Sequence, residues 1–280
     1  MVDYAFGRDL DRLIRISLDE DLPAHDITTL ALGIGDRPAE AVLLAKQGCT
    51  ISGLVAARRV FAIVDPGTTF ESRCRDGETV PSGTALAVIA GRADSLLAAE
   101  RTALNLLQRL SGIATATRRL VDAVADLPCM VLDTRKTTPG WRLVEKAAVR
   151  DGGGTNHRFS LSDGVLIKDN HVRLAGGVQA AVTAVRSRTL PGTRIEVEAE
   201  SLEEVDAALA AGANVVLLDN ANPALARQAV RLTAGRAILE LSGGITAANA
   251  RAMAESGADC ISSGALTHSA PAIDISLEFL

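Results

Sequence analysis

Three short stretches of this chain concentrate side chains that grip anions. D-T-R-K-T-T-P-G, residues 133–140, sets Arg135 beside Lys136, adds hydroxyls from Thr134 onward and runs to an expected helix start at Pro139–Gly140. A guanidinium and an ammonium beside the N–H groups of a helix N-terminus suit a carboxylate or a phosphate. G-G-G-T-N-H-R, 152–158, brings backbone close to a ligand and presents His157 and Arg158, although a glycine run by itself is equally a flexible loop. L-I-K-D-N-H, 166–171, carries an apolar strand straight into Lys168, whose ammonium needs an anion nearby. Two carboxylates oppose these cations, Glu198 closing I-E-V-E and Asp219 closing V-L-L-D. On neighbouring strand ends they form a natural seat for Mg²⁺, and they are equally natural counter-ions for Lys168 and Arg158. L-S-G-G-I at 241–245 and S-S-G-A-L-T at 262–267 each end a strand in small residues, giving Ser242, Gly243, Gly244, Ser263 and Gly264 as a phosphate cradle.

These residues need a scaffold that collects strand ends. Short apolar runs recur at C-M-V-L-D from 129, V-L-I-K from 165, R-I-E-V-E from 194, N-V-V-L-L-D from 214, A-I-L-E-L-S from 237 and D-C-I-S-S from 259. Such near-continuous runs are typical of parallel strands covered on both faces. Between them lie amphipathic helices that end at glycine, such as L-E-E-V-D-A-A-L-A-A-G. Repeated strand-then-helix units predict an α/β barrel, complete or partial, whose strand C-termini share one face. Any one of the polar groups could be a helix cap or a solvated charge; six strand ends carrying them together predict one mouth. The first hundred residues differ. They hold a short helix near Asp9–Leu18, extended segments A-V-L-L-A-K and T-A-L-A-V-I-A, and turns at Asp65–Pro66–Gly67 and Pro81–Ser82–Gly83, which predict a small mixed domain. A long helix is expected from Asp94 to Asp126, interrupted near Ser111–Gly112.

Composition narrows the class of ligand. The 280 residues are 48% hydrophobic and 22% charged, enough for one large domain or a large one with a smaller companion. Aromatic residues make up 2% and the net charge is -5, which argues against nucleic-acid binding by stacking or by bulk attraction. No run approaches the ~20 apolar residues that span a bilayer, and the N-terminus lacks a secretory pattern, so a cytoplasmic enzyme without membrane or nucleic-acid partners is expected. Cys49, Cys74, Cys129 and Cys260 are far apart, lack metal-ligand spacing and read as buried apolar residues. Only four of the 29 basic residues are Lys, and Lys136, Lys146 and Lys168 fall in the stretch that also holds the candidate arginines.

In order and spacing, D-T-R-K-T-T-P-G, G-G-G-T-N-H-R, L-I-K-D-N-H, I-E-V-E, V-L-L-D-N, S-G-G-I and S-S-G-A-L-T-H-S resemble the quinolinate phosphoribosyltransferase family. D-I-T-T at Asp26–Thr29 and A-E-R-T-A-L-N at Ala99–Asn105 extend the resemblance over nearly the whole chain. The resemblance implies an incomplete α/β barrel over 107–268 and an N-terminal α/β sandwich domain over 1–106 completed by 269–280. It implies conversion of quinolinate and phosphoribosyl pyrophosphate to nicotinate mononucleotide, pyrophosphate and CO₂, with Mg²⁺, in the de novo synthesis of NAD. It also implies a homodimer, or a higher oligomer, with shared active sites. By motif, Arg135, His157, Arg158 and Lys168 would hold the quinolinate carboxylates, and Arg101 would enter from the partner subunit. Lys136 and Lys168 would neutralise phosphate, Glu198 and Asp219 would serve the metal and the ribose, and Ser242, Gly243, Gly244 and Gly264, with Thr134 and Ser263, would complete substrate binding. His25, Trp141 and Ala147 depart from the family pattern outside the charged constellation, where altered packing or access is expected.

Three other readings stay open at this point. A paralogue of the same fold associated with molybdenum transport shares D-T-R-K but commonly lacks an intact K-D-N-H. An aldolase-type lyase would use Lys168 as a Schiff-base amine, although Asp169, Glu198 and Asp219 favour its charged form. A binding barrel would take up a phosphorylated ligand without releasing CO₂.

Overall fold

The computed structural model describes residues 2–22 and 24–280, with side chains from residue 7 onward. The first half of the chain contains α1 (Val2–Asp21), α2 (Ile27–Leu32), β1 (Pro38–Ala45), β2 (Cys49–Thr50), α3 (Leu54–Val64), β3 (Thr69–Ser72), β4 (Thr79–Val80), β5 (Ala85–Arg92) and α4 (Ala93–Ala123). There follow β6 (Met130–Leu132), α5 (Arg142–Asp151), β7 (Val165–Ile167), α6 (Asp169–Ala175), α7 (Val178–Arg186), β8 (Ile195–Ala199) and α8 (Leu202–Ala210). The last elements are β9 (Val215–Asp219), α9 (Pro223–Thr233), β10 (Ile238–Ser242), α10 (Ala250–Ala254), β11 (Cys260–Ser262), α11 (Ala265–His268) and β12 (Ile275–Phe279). Among the described residues, no helix is long and apolar enough to cross a membrane.

Two compact units emerge. One comprises 1–118, 137–153 and 266–280, and the other 119–136 and 154–265. The first is built on a four-stranded antiparallel sheet in the order β12-β1-β5-β3. Its tail strand pairs Ala45 with Ile275 and Ala41 with Phe279, so the end of the chain completes the sheet begun near residue 38. Alternation along β1 sends Ala41, Leu43 and Ala45 to a core shared with Phe61, Leu86 and Ile89. The partition differs from a cut after residue 106: α4 carries its first-unit contacts on to Arg118, and α5 packs with α1.

The break expected in α4 is absent, and the helix runs unbroken through Ser111 and Gly112. Glycine serves close approach here. A Cβ on Gly112 would overlap the carbonyl oxygen of Pro271 and lie 3.0 Å from its carbon. The tail is fastened to the same helix by Ile273 N–H donating to Gln108 O at 3.0 Å and Gln108 Nε2 donating to Ile275 O at 2.7 Å.

The second unit is a six-stranded parallel sheet in the order β6-β11-β10-β9-β8-β7, built from the six apolar runs the sequence marked. β6 and β7 are its edges. Beside β6, Thr155 N–H donates to Val131 O at 2.8 Å and Asp133 N–H to Thr155 O at 3.1 Å, so the glycine-rich segment extends the sheet by a parallel bridge to Leu132. This is a barrel wall with a seam between β6 and β7, in place of the full eight-strand closure. Ile195, Val197 and Ala199 of β8 are buried toward the helices, and the intervening Glu196 and Glu198 take the other face. Cys49, Cys74 and Cys260 are buried and Cys129 is half-buried, all as free thiols.

Candidate functional site

Parallel register and the two-residue side-chain period stack the polar groups in layers on one face of the second unit. Leu166 lies opposite Glu196, Glu198 opposite Leu217, Leu217 opposite Glu240, and Asp219 opposite Ser242. One step beyond the last β7 pair, Lys168 reaches the level of Glu198. These side chains and Ser262 enclose a cavity of about 310 Å³, which the β6 end closes with Thr134, Arg135 and Lys136 and the glycine-rich segment with His157 and Arg158. Nine residues singled out from sequence therefore meet in one concavity: Thr134, Arg135, Lys136, His157, Arg158, Lys168, Glu198, Asp219 and Ser242.

The cationic half is held by a buried carboxylate. Asp133, fully buried at the end of β6, accepts His157 N–H through Oδ1 at 2.8 Å and Asn156 Nδ2 through Oδ2 at 2.6 Å. This fixes the turn from which Arg158 departs. The Arg158 guanidinium donates to Gly164 O at 2.9 Å. Burial first, and the neighbouring Arg135 second, pull its pKa below the ordinary guanidinium value. Two like charges pressed together in a half-buried cavity are stabilised by an anion lying between them, and their planar forks match carboxylate geometry. Lys168 Nζ stands 3.3 Å from Glu198 Oε2, and His171 Nδ1 accepts the Lys168 backbone N–H at 2.9 Å, anchoring the start of α6.

The acidic half comprises Glu198 and Asp219. Burial raises the Glu198 pKa, Lys168 opposes that rise and Asp219 reinforces it, as expected of two neighbouring carboxylates beside one ammonium. Asn220 Nδ2 donates to Asp219 Oδ2 at 2.7 Å, steadying that carboxylate. Two hard carboxylates on adjacent strands suit a small divalent cation such as Mg²⁺, with water and substrate oxygens supplying its other ligands. Among the described residues, the tight grouping of potential ligand atoms lies one layer deeper: His157, Glu196 and Glu240, within 4.8 Å of one another. There His157 Nε2 is already engaged with Glu196 Oε1 at 3.0 Å.

At the end of β10 the backbone turns through positive φ at Gly243 (88°) and Gly244 (61°), beside Asn220 at 53°. A Cβ on Gly243 would overlap the Asn220 side chain and sit 2.7 Å from its backbone nitrogen, whereas one on Gly244 would meet open space. The close pass of two strand ends requires glycine at 243. Ser263 is buried and donates its hydroxyl to Ile245 O at 2.7 Å, so it braces this turn, and the cavity wall takes its neighbour Ser262. Gly243, Gly244 and Gly264 flank the wall without forming it. Arg101 lies in the first unit, on α4, with a half-exposed side chain 3.9 Å from Glu100. Lys146, grouped by sequence with the other lysines, is buried in that unit on α5.

Glu196, Glu240 and Ser262 were absent from the sequence-derived set. A signal for the first two was present: Glu196 precedes Glu198 and Glu240 precedes Ser242 by two residues, the spacing that keeps side chains on one face of a strand.

The chain matches two family models, the quinolinate phosphoribosyl transferase N-terminal domain over residues 26–111 and the C-terminal domain over 113–278. It is 42% identical over 274 residues to a probable carboxylating nicotinate-nucleotide pyrophosphorylase of Synechocystis sp., covering 97% of this chain and 92% of that one. A Bacillus subtilis protein of the same description is 40% identical over 96% of this chain and 93% of its own. Among solved structures, the nicotinate-nucleotide pyrophosphorylase from Francisella tularensis superposes with a TM-score of 0.93 at 39% identity, covering 98% of this chain and 96% of the other.

Proposed function

The chain belongs to the quinolinate phosphoribosyltransferase family, and from that premise and the cavity we propose how its residues carry out the family's reaction. It is a carboxylating nicotinate-nucleotide pyrophosphorylase, joining quinolinate to phosphoribosyl pyrophosphate and releasing pyrophosphate and CO₂. The observation that carries the reading of the site is the pairing of Arg135 with Arg158 beside Lys168, opposite Glu198 and Asp219, in one cavity.

Arg135, Arg158 and Lys168 bind the two adjacent carboxylates of quinolinate, with His157 at the same wall. Gripping the ring at two points turns approach of its nitrogen to the ribose C1 into a matter of fixed orientation. As the C1–oxygen bond to pyrophosphate weakens, positive charge grows on the ribose. Glu198 and Asp219 stabilise that charge, while Lys136 and Lys168 stabilise the leaving group. Mg²⁺, held by Glu198 and Asp219, would contribute charge neutralisation of the pyrophosphate. Ser242, Gly243, Gly244 and Gly264, with Thr134 and the bracing Ser263, form the subsite for the sugar and its 5′-phosphate. Once the ring nitrogen is quaternary it accepts the electrons left at C2, and CO₂ departs without a protein nucleophile. Arg101 completes the site from the partner subunit of a cytoplasmic homodimer.

The experiment is release of CO₂ from carboxyl-labelled quinolinate with and without phosphoribosyl pyrophosphate, in Mg²⁺ and in chelator. Release dependent on both the phosphoribosyl donor and Mg²⁺ is expected. A borohydride-trapped adduct on Lys168, or ligand uptake with no CO₂, would refute the reading.

A further inference from the structure

Decarboxylation leaves an electron pair at C2 that has to be quenched by a proton, and the cavity wall offers few sources. A guanidinium is not a proton source at accessible pH, which removes the arginines of the wall. His157 Nδ1 accepts the Arg158 backbone N–H at 2.8 Å, and its Nε2 lies 3.0 Å from Glu196 Oε1. Lys168 is committed to Glu198 at 3.3 Å. Glu240 stands apart from these. It is 2% exposed at the base of the cavity, and its Oε1 is buried without a hydrogen-bond partner. Its Oε2 lies 3.7 Å from His157 Nε2 and 3.9 Å from Cys260 Sγ.

The groups facing Glu240 are Glu196 and Arg194 from β8 and the residue before it, His157 from the glycine-rich segment, and Cys260 and Ser262 from β11. A single imidazole N–H stands between two carboxylates and is nearer Glu196, so Glu240 is the member left to carry its own proton. Burial, reinforced by Glu196 and opposed by His157, pushes its pKa up to about 7. Glu240 also borders a second cavity of about 310 Å³, reached past the exposed Met130, Asp163 and Arg194 toward the N-terminal ends of the strands. His157 and Arg158 are shared by both cavities. A proton can thus be replaced from solvent on the side away from the substrate.

We propose that Glu240 is the acid that protonates C2 of the pyridine ring after CO₂ leaves, and that water in the second cavity reloads it. The inference rests on the functional reading above. The bond between C2 and its carboxyl carbon breaks with the pair remaining on C2, CO₂ departs, and that pair takes the proton from the Glu240 carboxyl. The resulting carboxylate regains a proton from water.

The test is turnover in equal parts H₂O and D₂O, scoring the hydrogen-to-deuterium ratio at C2 of the product by NMR, with kcat followed from pH 5.5 to 8.5. In the wild type kcat is expected to fall as pH rises through about 7, where the donor ionises. Glu240→Gln is expected to lower kcat about 100-fold, to remove that alkaline limb and to change the isotope ratio, because water then supplies the proton directly. Glu240→Gln with the wild-type limb and ratio, whatever its kcat, overturns the proposal. Should that variant not fold, Glu240→Asp decides by the same readouts: a displaced limb supports the assignment, and an unmoved limb with an unmoved ratio overturns it. Absence of CO₂ from the wild type would instead sink the functional reading itself, and the proposal with it.

Discussion

Asp133→Ala is expected to weaken both the second unit and its grip on quinolinate. Asp133 is fully buried and accepts from two part-buried donors, the His157 backbone N–H at 2.8 Å and the Asn156 amide at 2.6 Å. Stranding a fully buried donor costs about 1–3 kcal/mol, and these two part-buried donors together cost about that much. The functional loss follows from chain connectivity, since Arg158 is placed by the residue that Asp133 holds. A displacement of about 1 Å at a gripping residue can cost on the order of 100-fold. The quinolinate KM should therefore rise about 10- to 100-fold, with the KM for phosphoribosyl pyrophosphate little changed. Urea unfolding and initial-rate kinetics with each substrate varied in turn provide the check. Because an amide in place of Asp133 can still accept one bond, the exchange Asp133→Asn with Asn156→Asp restores a donor–acceptor pair and should recover part of the loss. Stability and quinolinate KM both unchanged in Asp133→Ala would refute the account of how the cationic wall is held.

Two further outcomes follow from the same geometry. Glu240 has a folded pKa of about 7 against 4.5 for an ordinary glutamate. Its contribution to stability is fully present below pH 4.5 and is lost as pH rises through 7, so urea midpoints should fall between pH 5.5 and 8, less so in Glu240→Gln. In the proposed homodimer, mixing Arg101→Ala chains with Lys168→Ala chains should restore part of the activity, and confirmed mixed dimers without recovery would argue against a shared site.

The layers of the cavity show where sequence reading works. Asp219 and Ser242 end their β-strands and Glu198 stands one residue before the end of its own, so local pattern alone places them at the same edge of a parallel sheet. Lys168 follows by the same logic, being the first polar residue after its apolar run, and Arg135 and Lys136 come shortly after Asp133 and Thr134 at the end of theirs. Glu196 and Glu240 were harder to find. Charged residues inside a buried strand look like an error of pattern until the register sets them on either side of His157, brought in from a distant segment. Gly112 is the converse case: it looks like a helix breaker, and only the passage of Pro271 against α4 shows why a side chain is excluded there.

The sequence by itself determined the alternation of strands and helices, the strand ends that carry charge and the family of the chain, because these depend on residue type, short-range period and ordered motifs. Tertiary structure alone decided that Pro271 passes against α4 at Gly112, that Asp133 holds the turn before Arg158, and that Glu240 borders two cavities. Those outcomes depend on which distant segments meet. Contact between segments well separated in sequence leaves no periodic trace in either partner, whereas the face of a strand is written in every second residue.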